Sequence, residues 1–184
     1  LITQFGASSE TNGLLGRVYK DRWEIERKAG NVLGARGWLK KSAETYLAGF
    51  EAELQALLTL LARHAPVIAV GICFGGPFVV RAAAVGLLSG VVTWHGSRLE
   101  SQLDALRAMA ERSVPARFHF GDADTFVPPT TVEVVRAALG AQASGSVFVH
   151  PGADHGFSHR TGPKYQAVAE RAGLNAVLDL IRSC

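Results

Sequence analysis

Val67-Ile68-Ala69-Val70-Gly71-Ile72-Cys73-Phe74-Gly75-Gly76 is the stretch on which the reading of this chain turns. A short apolar run rich in β-branched residues meets a G-x-C-x-G-G corner and then a segment of small residues from Pro77, the pattern of a buried strand turning sharply into a helix. At such a corner the central residue is held in a strained turn, with its side chain projecting away from the sheet. The pattern predicts that glycine is required on both sides of Cys73, because a Cβ there would strike the neighbouring strand or the following helix. Cys73 then lies at a helix N-terminus, where unpaired N–H groups and the positive end of the dipole favour an anionic sulfur. The same N–H groups, beginning with that of Phe74, are placed to receive the oxyanion of a tetrahedral intermediate. A buried cysteine packed as a small hydrophobe on a βα turn fits the same letters, so the remainder of the chain must decide.

The 184 residues are 48% hydrophobic and 19% charged, which is too apolar for a disordered chain and enough for one sizeable core. A single domain over 1–184 is expected. The net charge of +3 comes from arginines scattered along the chain, which points away from nucleic acid and only weakly towards an anionic small molecule. Apolar runs are far too short to span a membrane, and no secretory leader opens the chain, so a soluble, cytoplasmic protein is expected. Two cysteines, Cys73 and Cys184, make neither a disulfide framework nor a zinc site. Leu1 in place of methionine suggests a processed or truncated form.

Loop chemistry dominates 1–19, followed by a short helix from Asp21 to about Ala29 and a break at Gly34–Gly37. Ser42 is the expected N-cap of a long helix to about His64, with Leu47, Phe50, Leu54, Leu57, Leu58 and Leu61 forming one buried stripe. Beyond the elbow, strands at 91–94, 117–120 and 146–149 alternate with helices at 77–85, 99–109, about 130–139 and 164–181. The last helix is expected to bury Val168, Leu174, Val177 and Ile181. This alternation specifies an α/β fold: a three-layer sandwich with a mainly parallel sheet and helices on both faces. Ligands of such sheets collect beyond the carboxyl ends of the strands, where Cys73, Asp122, Asp124 and His155 all fall.

A cysteine nucleophile needs a base, and the base needs a partner that fixes its tautomer. The chain order Cys, Asp, His is that of α/β-hydrolase triads. His155 is the candidate base; on the residues alone, Asp122 and Asp124 both remain open as its partner, since Asp122 could as well bond its own turn. His64, His95, His119 and His150 show no ligand-like spacing, so no metal and no cofactor is expected. Trp94 either caps the core or walls the pocket.

Three motifs in the right order make the chain, over about 42–181, resemble the dienelactone hydrolase family of the α/β-hydrolase superfamily. They are Gly71-Ile72-Cys73-Phe74-Gly75-Gly76, His119 through Pro128, and Gly152-Ala153-Asp154-His155-Gly156-Phe157. The resemblance implies a Cys73, His155, Asp124 triad, with Asp124 chosen because it stands two residues before Phe126-Val127-Pro128. It implies hydrolysis of a small ester or enol-lactone, a pocket lined near Trp94-His95, and an oxyanion donor at Phe74. Gly16-Arg17-Val18 is similar to a further family loop. Two departures stand out. The fold is expected to be N-terminally short, since 1–41 offers no equivalent of the family's flanking strand, its glutamate or its second oxyanion donor. That leaves the edge of the elbow strand to be covered by the N-terminal segment or by a second copy in a homo-oligomer. Where family members place a substrate-carboxylate arginine, this chain has His159 followed by Arg160, which keeps an anionic substrate open. The alternatives are a catalytically silent ligand-binding or interaction domain and a cysteine-dependent amidotransferase-like enzyme.

Overall fold

The computed structural model describes residue 3 and residues 6–183; Leu1 and Cys184 lie outside the described residues. Contacts divide the chain into two compact units, 1–60 and 61–184.

The first unit is a helical hairpin of α1 (Ser9–Lys28) and the greater part of α2 (Val32–Leu61). The loop expected over 1–19 is instead mostly helix. Ser8 and Thr11 form a reciprocal capping box, with the Ser8 Oγ accepting from Thr11 N–H and the Thr11 Oγ1 accepting from Ser8 N–H, which nucleates α1 twelve residues earlier than its apolar pattern announced. Gly16-Arg17-Val18, expected in a loop, lies inside it. The break expected at Gly34–Gly37 is also absent: α2 starts behind Asn31, whose Oδ1 accepts the Gly34 N–H, and runs through both glycines. Ser42 is therefore no cap, and its hydroxyl donates across the hairpin to the Gly16 carbonyl. The buried positions of α2 are Ala35, Ser42, Gly49 and Leu58; of the expected stripe Leu58 is buried as expected, whereas Leu47, Phe50, Leu57 and Leu61 are exposed. Small residues win these sites because the helices approach closely: a Cβ on Gly49 would lie 2.7 Å from the Ser8 carbonyl oxygen.

The second unit carries a four-stranded parallel sheet, β1 (Ile68–Ile72), β2 (Gly90–Trp94), β3 (Ala116–Gly121) and β4 (Val147–His150), in the order β1-β2-β3-β4. The mixed α/β sandwich is as expected from the alternation. Helices α3 (Gly76–Ala84), α4 (Leu103–Glu111) and α5 (Pro129–Leu139) pack in a row, and α6 (Ala167–Ser183) packs on β1, β2 and β3. Side chains alternate between the two faces of each strand: a Cβ on Gly71 would meet Val79 of α3, whereas Gly90 and Trp94 of β2 lie against Leu180 and Gly173 of α6. The core includes Val91, Val92, Phe118, Phe120, Leu106, Met109 and Val135. On α6 the buried face is Ala169, Gly173, Ala176 and Leu180; Val168, expected inside, is 78% exposed, and Leu174 and Ile181 are exposed too. The Trp94 indole needs that thin face, because a Cβ on Gly173 would lie 2.4 Å from its Nε1. β1 pairs with β2, and among the described residues no strand pairs with its outer edge.

Two histidines of the sheet lie in surroundings that disfavour their charged forms. His119 is buried, stacks on Phe148 and places its Nδ1 2.9 Å from His150 Nε2. Burial first, then the proximity of His150 and Arg117, pushes His119 from its ordinary 6.5 down to about 4; burial also lowers His150. A histidine depressed on folding takes up its proton more readily when unfolded, so its stabilisation is complete above about pH 6.5 and is lost as pH falls towards 4. Thermal unfolding followed between pH 7 and pH 5 should show a loss of roughly 1–2 kcal/mol from this source. A His119→Phe variant, which keeps a stacked ring but cannot titrate, should show a flatter profile; an unchanged slope would remove His119 as its origin.

Candidate active site

Cys73 follows the last residue of β1 with a backbone φ of +50°, in the left-handed region that costs a non-glycine residue about 1 kcal/mol or more. The strained corner expected from the sequence is thus present, and Cys73–Gly75 forms a single 3₁₀ turn leading into α3. Of the flanking glycines, Gly71 is required, since a Cβ would lie 2.7 Å from Val79 Cγ2 and 2.8 Å from the Gly75 carbonyl oxygen. Gly75 is not required on these grounds, because a Cβ there meets nothing within 4 Å; the tight position is one further on, at Gly76, 3.2 Å from Gly96 Cα. The corner is tied from its other side by the Ser97 N–H, which donates to the Cys73 carbonyl.

Asp122 and Asp124 both follow β3, and their hydrogen bonds separate them. Asp122 Oδ1 accepts the Gly152 N–H at 2.6 Å and so pins the turn that precedes His155. Asp124, whose side chain has no exposed surface, accepts the Phe126 and Val127 N–H groups on Oδ1 at 2.8 and 3.0 Å, leaving Oδ2 for His155 Nδ1 at 2.8 Å. His155 Nε2 lies 3.1 Å from Cys73 Sγ. Three groups spread over 82 positions of sequence thus form one continuous chain of contacts at the carboxyl edge of the sheet.

The loop bearing His155 is held from several directions. Its N–H donates to Asp154 Oδ1, and Asp154 in turn pairs with Lys164 at 2.7 Å. The Lys164 hydrogen bond, then that from the His155 N–H, keeps the Asp154 carboxyl below its ordinary range. The imidazole sits between two rings, with His95 edge-on at 4.7 Å and Phe126 at 5.0 Å between centroids. Phe126 is 69% exposed, and together with the exposed Phe74 it gives the surface near the thiol an apolar character.

His95 was not singled out by spacing, yet it is the nearest additional titratable group. It is 3% exposed, has a φ of +40°, and places Nε2 3.0 Å from Ser158 Oγ. Burial first, then the neighbouring His155, pushes it down to about 4 against the opposing pull of Asp124. Its uncharged form is therefore favoured down to distinctly acid pH. Its signals in the sequence are its position one residue beyond β2, at the same sheet edge as Cys73, and the family resemblance that expects pocket lining near Trp94-His95.

Other expected site residues are engaged elsewhere. Trp94 turns towards α6 and packs on the cluster of Ala153, Phe157 and Ala169. Arg160 donates from Nε and Nη2 to Glu170 Oε1, and His159 Nε2 lies 3.3 Å from Thr161 Oγ1. Phe74 occupies the second residue of the 3₁₀ turn, where an N–H has no intrahelical acceptor. Among the described residues, the grouping with metal-ligand geometry is Cys73, His95 and His155.

Residues 14–184 match the sequence model of the dienelactone hydrolase family. Carboxymethylenebutenolidases of Pseudomonas putida and Pseudomonas knackmussii are each 32% identical over 125 residues, covering 65% of this chain and 52% of theirs. The chain thus spans about half the length of these curated relatives. A crystal structure from Klebsiella pneumoniae named "Putative Dienelactone Hydrolase" superposes with a TM-score of 0.58 at 25% identity, over 74% of this chain and 62% of that one.

The close approach of β3 to the histidine loop generates a test. A Cβ on Gly121 would lie 2.0 Å from the Ala153 carbonyl oxygen, which also accepts the Ala123 N–H. Backbone cannot swing aside as a flexible side chain does, so Gly121→Ala should cost about 2–4 kcal/mol and shift the His155 imidazole resonances in an NMR titration. A variant with wild-type stability and unshifted resonances would show that the loop does not depend on this contact.

Proposed function

The chain belongs to the dienelactone hydrolase family, and from that premise we propose that it hydrolyses a small ester or enol-lactone through an acyl-enzyme on Cys73. The observation that carries the reading is the unbroken run Cys73 Sγ, His155 Nε2, His155 Nδ1, Asp124 Oδ2, at 3.1 and 2.8 Å. His155 takes the thiol proton through Nε2 while Asp124, held by two backbone N–H groups, keeps the other ring nitrogen protonated and supports the imidazolium. The thiolate attacks the carbonyl carbon, and the Phe74 N–H receives the oxyanion. Collapse expels the alcohol or enolate, which takes the proton from His155 and leaves a thioester on Cys73. Water, deprotonated by the same Nε2, then releases the acid and returns the thiol.

The neutral state of His95 supports this cycle, because a charged neighbour 4.7 Å from the His155 ring would oppose imidazolium formation. The activity named for the Pseudomonas relatives makes an enol-lactone the first substrate to try, with Phe74 and Phe126 supplying apolar contact. Lys164, over the Phe126 ring at 5.9 Å and paired with Asp154, and Arg160, paired with Glu170, are the nearby cations an anionic substrate would draw on. A reduced Cys73 is required throughout, which fits a reducing compartment such as the cytoplasm. A second copy of the chain would add at the outer edge of β1, with which no strand pairs among the described residues.

Hydrolysis of a chromogenic short-chain ester and of an enol-lactone should fall by at least about a thousandfold in Cys73→Ala and by about a hundredfold or more in Asp124→Asn. No turnover of either compound, or turnover unchanged in Cys73→Ala, would reject the proposal. Stoichiometric alkylation of Cys73 by iodoacetamide, much faster than that of a free thiol and slowed in His155→Ala, separates a primed thiol from a silent binding domain.

A further inference from the structure

One buried atom beside the triad takes no direct part in the hydrolytic cycle. His95 Nδ1 is enclosed and has no hydrogen-bond partner, although most buried polar atoms find one. A ring nitrogen of His95, a ring nitrogen of His155 and Cys73 Sγ all lie within 4.8 Å of one another. We propose that Cys73, His95 and His155 form a reversible binding site for a soft divalent cation, zinc first among them, and that its occupation switches the hydrolytic centre off.

One thiolate and two imidazoles are a donor set for zinc, which takes Zn–S bonds of about 2.3 Å and Zn–N bonds of about 2.0–2.1 Å and accepts three protein ligands with an open fourth position. Tetrahedral placement at those lengths separates the donors by roughly 3.3–3.7 Å. Sγ and His155 Nε2, at 3.1 Å, lie slightly closer than that, and the three donors, all within 4.8 Å of one another, would reach it by side-chain rotation. Asp124 on His155 Nδ1 supplies the carboxylate–histidine–metal arrangement that fixes the tautomer and raises ligand basicity. Ser158 Oγ, 3.0 Å from His95 Nε2, is a corresponding partner for the second ring. On binding, the cation sheds water and the Cys73 thiol releases its proton to solvent; the sulfur and His155 lone pairs are then committed to the metal. The metal-bound sulfur is then a much weaker nucleophile, and His155 Nε2 has no lone pair left to take a proton. The inhibitory half of the proposal rests on the hydrolase reading, whereas the binding half does not.

Reduced, chelator-treated protein should bind one Co²⁺ per chain with a sulfur-to-cobalt charge-transfer band and tetrahedral visible transitions, both displaced by Zn²⁺. Hydrolysis should be lost in step with zinc occupancy and regained with chelator. His95→Gln, shown to be folded by circular dichroism, should weaken binding at least about tenfold; Cys73→Ser should abolish the charge-transfer band and serves if the first variant does not fold. Absence of the band in the wild type, or a His95→Gln affinity equal to wild type, overturns the site. A cobalt spectrum without any esterase or lactonase turnover leaves the site standing and rejects the hydrolase reading instead, so the two failures are distinguishable.

Discussion

Asp124 accepts hydrogen bonds on both carboxylate oxygens with no part of its side chain exposed, and the geometry at the sheet edge follows from that constraint. A buried carboxylate is tolerable only when its lone pairs are answered. Two answers come from its own turn, through the Phe126 and Val127 N–H groups, so the remaining oxygen points in one direction only. His155 meets it there, and the far nitrogen of the same ring is thereby aimed at Cys73. A carboxylate free to rotate would not transmit the position of β3 to a sulfur on β1.

The histidine loop must be brought to that oxygen, and the packing behind it is correspondingly tight. Gly121 lets β3 press against the Ala153 carbonyl, Asp122 holds the Gly152 N–H, and the Asp154–Lys164 pair closes the outer side. The two aspartates after β3 thus divide the work, one fixing the loop and the other the ring. Cys73 is presented by a similar device on β1, where Gly71 allows α3 to turn back over the strand and the corner residue accepts a left-handed backbone. His95, one residue beyond the strand between them, is buried, and burial followed by the neighbouring His155 holds its pKa well below that of a free imidazole.

The strands and the helices of the sheet unit were legible because apolar β-branched runs alternate with amphipathic segments and are punctuated by Gly and Pro. The first unit was not legible by the same rules. In α1 and α2 small and polar residues such as Gly16, Ser42 and Gly49 make the packing surface, so residues that ordinarily mark breaks instead lie mid-helix, and of the expected stripe Leu58 is buried while Leu47, Phe50, Leu57 and Leu61 are exposed. The same inversion occurs on α6, where Ala169, Gly173 and Ala176 form the buried face because an indole must fit beneath it. Hydrophobicity alone misses a contact whose requirement is closeness rather than apolar area.

What the sequence determined by itself was the chemistry available: a cysteine at a glycine-bounded strand-to-helix corner, an acidic turn and a histidine loop at later strand ends, in triad order. Those features are local, since each depends on a few consecutive residues and on the strand that precedes them. Only the tertiary structure decided between Asp122 and Asp124, moved the tight glycine from Gly75 to Gly76, turned Trp94 towards α6 and set His95 beside Cys73 and His155. These depend on strand order, on parallel register and on which buried polar atoms are answered, and such relations between residues tens of positions apart are fixed by packing and hydrogen bonding in three dimensions rather than by any pattern along the chain.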